Sequence, residues 1–89
     1  MFYTYILKSS KSPKLYYSYT GDLRRRFEEH NEGRSRFTKP FIPWKLTFYA
    51  AFEDEQKAKD FELYLKSGSG KAFAHKRFVA SSKDVLESK

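Results

Sequence analysis

The sequence predicts a small α+β domain, a three-stranded antiparallel β-sheet flanked by helices in the order β-β-α-β-α-α. Three observations predict it. Two aromatic-rich segments near the start are joined by a short polar turn, a third such segment lies between two segments of helical periodicity, and 89 residues leave room for only one core. We therefore expect one domain over residues 1–79 and a polar tail over 80–89.

The first two strands are predicted at residues 2–7 and 15–19. The first alternates two sets of aromatic, β-branched and other apolar side chains, which suits a strand packed on both faces. A seven-residue polar turn containing Pro13 follows it, so an antiparallel hairpin is the simplest pairing. In such a hairpin Tyr5 and Tyr16 can lie close together.

The stretch YYSYTGDLRRRFEEHN passes from the second strand into a helix. Thr20 or Asp22 can cap its start, and Gly33 ends it. Four residues fall at i, i+3, i+4 and i+7 on one face: Leu23, Arg26, Phe27 and His30. The face turned toward the core therefore carries an arginine and a histidine.

The second half of the chain repeats this order. A loop over 32–43 should be ordered by its Phe residues, and Trp44 to Phe52 reads as the third strand. Asp54 begins a second helix, which should end at Gly68 to Gly70 before a short third helix over 71–79. The inward stripe of the second helix consists of Ala58, Phe61, Glu62 and Leu65. A carboxylate thus stands where an apolar residue is expected.

Charge and composition narrow the function. Eighteen Lys and Arg against eleven Asp and Glu give a net charge of +7, which attracts polyanions and makes nucleic acid the expected partner. The lack of cysteine excludes a disulfide scaffold or a thiolate zinc site, and it fits a reducing compartment, so we expect a cytoplasmic location. The N-terminal MFYTYILKSS has the features of neither a signal peptide nor a membrane span, and no membrane contact is expected.

Arg26 and Glu62 both break the apolar pattern of their helices. An unpaired buried charge costs several kcal/mol, so each must be paired, solvated at the sheet edge or bound to a ligand. One alternative is a salt bridge between the two. The other is phosphodiester hydrolysis, in which Glu62 holds a divalent metal, Arg26 meets the phosphoryl charge and a tyrosine activates water. His30 then shuttles a proton or orients a tyrosine, unless it simply bonds a backbone carbonyl.

Four segments in order resemble the GIY-YIG endonuclease superfamily: YTYIL, YYSYTGDLRRRFEEHN, PWKLTFYAAF and KAKDFELYLKSGSGKAF. The resemblance covers residues 2 to about 78. It is closest in kind to the small stand-alone bacterial members, similar to the N-terminal nuclease domain of the excinuclease C subunit. The spacing from Thr20 to His30, with a later helical Glu, is its most specific part. The resemblance implies Tyr5, Tyr16 and Arg26 as catalytic residues and Glu62 as the metal ligand.

By this resemblance the chain is a metal-dependent endonuclease that uses Mg²⁺ or Mn²⁺ and cuts DNA with little sequence preference. His30 joins the predicted catalytic set, and a recruiting protein partner is left open. The predicted nucleic-acid contacts are Thr20, Arg34, Arg36, Lys39, Lys66 and Lys71. Tyr3 and Ser18 stand where the family has glycine. Because a Cβ at Ser18 can displace Tyr16, the alternative is a nucleic-acid-binding module that has lost catalysis.

Overall fold

The fold is arranged around a central strand, β1. The computed structural model describes residues 1–74 and 76. Its elements are β1 (Phe2–Ser9), β2 (Leu15–Thr20), α1 (Leu23–Asn31), a 3₁₀ turn (Lys39–Phe41), β3 (Trp44–Phe52), α2 (Glu55–Lys66) and α3 (Gly68–Ala74). This order confirms the predicted β-β-α-β-α-α arrangement. Within the described residues, no helix has the length and apolar character needed to cross a membrane.

The sheet has the strand order β2-β1-β3, and β1 is antiparallel to both neighbours. In the pairing of β1 with β2, Tyr5 lies opposite Ser18 and Leu7 lies opposite Tyr16. A bulge after Ile6 interrupts the pairing of β1 with β3. Because successive side chains of a strand point to opposite faces, Tyr5 and Tyr16 share one face of the sheet.

Each face of the sheet has its own core. The α1 face, which packs against α1 and the following loop, consists of Tyr5, Leu7, Tyr16, Leu23, Phe27, Phe41, Ile42 and Trp44. The α2 face, which packs against α2 and α3, consists of Ile6, Leu15, Tyr17, Phe48, Phe61, Leu65 and Ala74. The alternation in β1 thus predicts burial on both sides, and the structure confirms it.

The helix ends follow the local signals in the sequence. Asp22 is the N-cap of α1, and its carboxylate accepts a hydrogen bond of 3.2 Å from the backbone N–H of Arg25. Asp54 caps α2 in the same way. After α1, Gly33 adopts a φ of 80°, a conformation that glycine reaches without steric cost.

The start of α3 differs from the prediction. The end of α2 before Gly68 is confirmed, but α3 begins at Gly68 itself rather than at Lys71. A Cβ at Gly70 would overlap the backbone carbonyl of Tyr64, so glycine is needed here for close packing of the two helices. The other predicted positions of the third helix, including His75 and residues 77–79, and the tail over 80–89 lie outside the described residues.

The loop over residues 32–43 is ordered mainly by polar side chains. Its Phe41 ring packs 6.3 Å from Trp44, but Phe37 is 76% exposed, so the prediction that the Phe residues order the loop is wrong for Phe37. Asn31 instead bonds both backbone groups of Trp44, at 3.1 and 2.6 Å. The indole N–H of Trp44 donates to the carbonyl of Thr38 at 2.9 Å.

Candidate active site

A chain of buried hydrogen bonds crosses the α1 face. Tyr5 and His30 are both 0% exposed, and the Tyr5 hydroxyl oxygen lies 2.9 Å from Nε2 of His30. Nδ1 of His30 lies 2.8 Å from the hydroxyl of Thr38, which in turn donates to the carbonyl of Ser35 at 3.4 Å. These contacts join the central strand, α1 and the loop. We call them the Tyr5–His30–Thr38 chain.

The geometry assigns the protons of this chain. Because Thr38 donates to a carbonyl, its oxygen accepts from the N–H at Nδ1 of His30, and Nε2 is left to accept the proton of Tyr5. Burial, together with the positive charge of Arg26, lowers the pKa of His30 to about 4. Burial raises the pKa of Tyr5 to about 12. Both groups are therefore neutral at pH 7.

Tyr16 lies beside this chain and reaches solvent. Its ring centroid is 5.1 Å from that of His30, which also contacts Tyr5. The two tyrosines therefore lie close together, as predicted. The described residues hold no buried polar side-chain atom without a partner. Since no hydrogen bond of the described residues involves the Tyr16 hydroxyl, that hydroxyl is open to water.

Arg26 supplies the positive charge near the tyrosines. Its side chain is 36% exposed, and Nη1 donates to Oε1 of Glu29 at 2.9 Å. This hydrogen bond raises the pKa of Arg26 and lowers that of Glu29. The alternative of a salt bridge between Arg26 and Glu62 is wrong, because Glu62 pairs with Lys66. Arg26 and Thr20 line an open cleft of about 400 Å³.

Glu62 lies on α2, with the sheet between it and α1. On the same helix Phe61 packs against rings of β3, whereas Glu55 and Lys59 contact Tyr19 of β2. The helical turn places Glu62 on the side of Glu55 and Lys59 rather than on the side of Phe61. Glu62 therefore lies on the side of α2 that faces β2, the edge strand of the sheet.

The carboxylate of Glu62 is compatible with a hard divalent cation. Its side chain is 14% exposed, and its ion-pair partner Lys66 is 49% exposed and free to move away. The described residues hold no group of three or more His, Cys, Asp or Glu that forms a metal cage. Mg²⁺ usually keeps several waters and binds through one or two carboxylates plus substrate phosphates. A single carboxylate at the sheet edge fits that mode of binding.

The predicted nucleic-acid contacts divide between the two faces of the sheet. The loop beside the Tyr5–His30–Thr38 chain carries three exposed cations, Arg34, Arg36 and Lys39. Arg34 pairs with Glu32 at 2.9 Å, whereas Arg36 and Lys39 enter no ion pair of the described residues. Thr20 lies in the cleft of Arg26. These four side chains are on the side of the tyrosines.

The other two predicted contacts lie on the opposite side. Lys66 forms an ion pair with Glu62 on α2, and Lys71 is exposed on α3. Within the described residues, no hydrogen bond or ion pair joins Glu62 to the tyrosines, Arg26 or His30. The structure thus groups the cationic loop with the tyrosines and separates Lys66 and Lys71 from them.

Two contributors to the site have weak or no sequence signals. Thr38 completes the buried chain, but a single threonine in an irregular loop carries no periodicity that identifies it. Ser18 lies opposite Tyr5, and its hydroxyl opposes the rise in the pKa of Tyr5 that burial causes. The sequence singles out Ser18 only as a departure from the family glycine, and the hairpin register is the signal that could have placed it opposite Tyr5. Its Cβ fits a regular strand pairing, and Tyr16 still contacts His30.

Comparison with known proteins identifies relatives along most of the chain. Residues 1–77 match the family model of the GIY-YIG catalytic domain. A UPF0213 protein of Clostridium perfringens is 37% identical over 67 residues, which cover 74% of this chain and 71% of that protein. A UPF0213 protein of Streptococcus agalactiae is 35% identical over 71 residues, with 79% and 80% covered. The solution NMR structure of a UPF0213 protein from Bacillus halodurans shares 30% identity and covers 81% of this chain and 80% of that one, with a TM-score of 0.49.

Proposed function

Because the chain belongs to the GIY-YIG family, we propose that it hydrolyses phosphodiester bonds of nucleic acid, with DNA as the expected substrate. Members of this family are generally endonucleases that use divalent metals. In this reaction a water oxygen bonds to phosphorus and the bond to the leaving oxygen breaks. One observation carries the proposal: Tyr5, Tyr16 and Arg26 converge around the buried His30 on one face of the sheet.

Arg26 is the proposed contact to the phosphate. A guanidinium has five N–H donors, and the described contacts of Arg26 place one of its nitrogens on Glu29. The guanidinium also lies within hydrogen-bonding reach of the Tyr5 hydroxyl, and donors not used on Glu29 or Tyr5 would meet the phosphoryl oxygens as their charge grows. Thr20, in the same cleft, has a hydroxyl that bonds the backbone of Asp22 and would have to turn from the Asp22 carbonyl to meet an oxygen of the nucleic-acid backbone.

Tyr16, rather than Tyr5, is the proposed acceptor of the proton from water. The Tyr16 hydroxyl is open to solvent, whereas Tyr5 is fully buried and directs its proton to His30. Tyr16 would take the proton of the attacking water through its hydroxyl oxygen. Tyr5 and His30 then act as positioning residues that hold the site in place.

Glu62 is the proposed ligand for Mg²⁺ or Mn²⁺. When bound, such an ion polarises a phosphoryl oxygen and stabilises the leaving oxygen. The orientation of Glu62 toward the β2 edge supports this role, because the cleft of Arg26 and Thr20 lies at the end of the same strand. A nucleic-acid backbone that follows this edge can contact both residues.

The test is cleavage of labelled duplex, branched and single-stranded DNA and RNA with Mg²⁺, Mn²⁺ or EDTA. We expect metal-dependent cutting by the wild type, with a loss of about 100-fold or more in Arg26→Ala and in Glu62→Ala. Asp60→Ala, which removes an exposed carboxylate of the same helix, is the matched control and should cut normally. Wild-type cutting by both Arg26→Ala and Glu62→Ala would contradict the assignment.

Ser18 favours a second candidate, a nucleic-acid-binding module of the same fold without catalysis. This residue stands at the glycine position of the second family motif, directly opposite Tyr5. The module would bind nucleic acid in EDTA, with strong salt dependence, and Glu62→Ala would leave that binding unchanged. If the wild type binds in this way but shows no metal-dependent cutting, the second candidate is correct.

A further inference from the structure

Phe37 is the most exposed large hydrophobic side chain of the described residues, at 76%. The residues around it are held firmly. Ser35 and Thr38 are buried, and the carbonyl of Ser35 accepts from the backbone N–H groups of Thr38 at 3.2 Å and Lys39 at 2.9 Å. The Trp44 indole fixes the carbonyl of Thr38. The backbone on both sides of Phe37 is therefore fixed, and the ring projects into solvent.

Unpaired cations flank this ring. Arg36 precedes it and Lys39 follows two residues later, both exposed and both outside the ion pairs of the described residues. Cations beside an exposed aromatic ring are the arrangement that binds unpaired nucleotides, because the cations attract the phosphates while a base stacks on the ring. The most exposed tyrosine, Tyr49 at 53%, lines a different groove, in which Arg24 stands beside Asp22 and Glu28.

Phe37 also lies next to the candidate active site. Its neighbour Thr38 bonds His30, which bonds Tyr5. Adjacent α-carbons are about 3.8 Å apart, so the backbone of Phe37 lies next to that of Thr38, whose side chain belongs to the Tyr5–His30–Thr38 chain. The loop that carries Phe37 is thus the same loop that completes the buried chain through Thr38.

We propose that Phe37 is a stacking platform for an unpaired base, with Arg36 and Lys39 holding the adjoining phosphates. The substrate class is then nucleic acid with unpaired bases beside the phosphate that is cut, such as a flap, a gap or a single strand. The statement about cutting rests on the proposed function. The statement about stacking concerns binding alone and is tested without catalysis.

The test is fluorescence anisotropy in EDTA with two labelled probes of equal length, a fully paired duplex and a duplex with a gap of unpaired bases, each made in DNA and in RNA. Phe37→Ala should weaken binding to the gapped probe by about fivefold to 150-fold and binding to the paired probe by less than about twofold. Phe37→Trp should restore the preference for the gap. The melting temperature should stay unchanged because the ring is 76% exposed.

Two variants serve as controls. Tyr49→Ala removes an exposed ring from another surface and should leave both affinities unchanged. Arg36→Ala should weaken both probes alike and reduce the slope of log affinity against log salt by about one, since it removes a phosphate contact rather than a stack. The DNA and RNA arms identify which nucleic acid is preferred.

Equal affinities of Phe37→Ala and wild type for the gapped probe would overturn the proposal, and so would an equal loss on both probes. The first result is also the one expected if Phe37 instead contacts a protein. The proposal of base stacking and the proposal of catalysis can be rejected independently of each other. A Phe37-dependent preference for gaps without metal-dependent cutting rejects the nuclease and keeps the platform, whereas cutting without that preference rejects the platform and keeps the nuclease.

Discussion

The two faces of the sheet share strand β1 but differ in chemistry. On the α2 face, Ile6 packs in an apolar cluster with Leu65. On the α1 face, the neighbouring Tyr5 enters a buried polar chain with His30 and Thr38. Alternation along one strand therefore lets one side supply apolar burial while the other holds polar groups in fixed positions. We expect mutations in the apolar cluster of the α2 face to change stability and mutations in the buried polar chain of the α1 face to change chemistry as well.

The largest effect on stability is expected from Leu65→Ala. Leu65 is 0% exposed, and its truncation should lower the free energy of unfolding by about 2 to 5 kcal/mol. Urea unfolding measures this loss. The matched control is Leu63→Ala on the same helix, where a side chain 65% exposed should contribute no more than about 0.5 kcal/mol. If Leu65→Ala lowered cleavage per folded molecule as much as Arg26→Ala, the division between the faces would be wrong.

A smaller effect is expected from a matched pair of hydroxyl deletions. Tyr5→Phe leaves the buried Nε2 of His30 without its donor, which should cost about 1 to 3 kcal/mol. Tyr17→Phe, on the α2 face, removes a hydroxyl that makes no hydrogen bond within the described residues and should change stability by less than about 0.5 kcal/mol. Thermal unfolding of both variants compares the two faces directly. Equal losses of stability in the two variants would contradict the proposed difference between the faces.

The smallest expected effect is a pH dependence of the free energy of unfolding that arises from His30 on the α1 face. The folded-state pKa of His30 is about 4, below the usual 6.5, so the unfolded chain binds a proton that the folded chain refuses. Stability should therefore fall as the pH drops through 6.5 toward 4, by about 1 kcal/mol between pH 7 and pH 5.5. The lowered pKa of Glu29 acts below this window.

Urea unfolding at these two pH values compares wild type with His30→Gln. His75 is present in both proteins, so its contribution to the pH dependence of unfolding cancels in the comparison. Between pH 7 and pH 5.5, the free energy of unfolding of the variant should fall by about 1 kcal/mol less than that of wild type. Identical pH dependence in the two proteins would mean that His30 is protonated without cost in the folded state.

Sequence reasoning succeeded where the signal is local or periodic. The alternation of β1, the cap at Asp22 and the inward stripe that includes Glu62 all follow from rules that act within a few residues. It failed where a contact depends on how distant segments meet. Phe37 and Phe41 are the same residue type in one loop, and the tertiary packing of Phe41 against Trp44 distinguishes the half-buried ring from the exposed one.

The double hydrogen bond of Asn31 to the backbone of Trp44 has a consequence for local opening. It closes the base of the loop over 32–43, and Thr38 fastens the middle of that loop to His30. The loop cannot lift without breaking the buried chain that positions Tyr5. Amide protons of this irregular segment should thus exchange with solvent in a single cooperative step, in which the loss of the site and the opening of the loop are the same event.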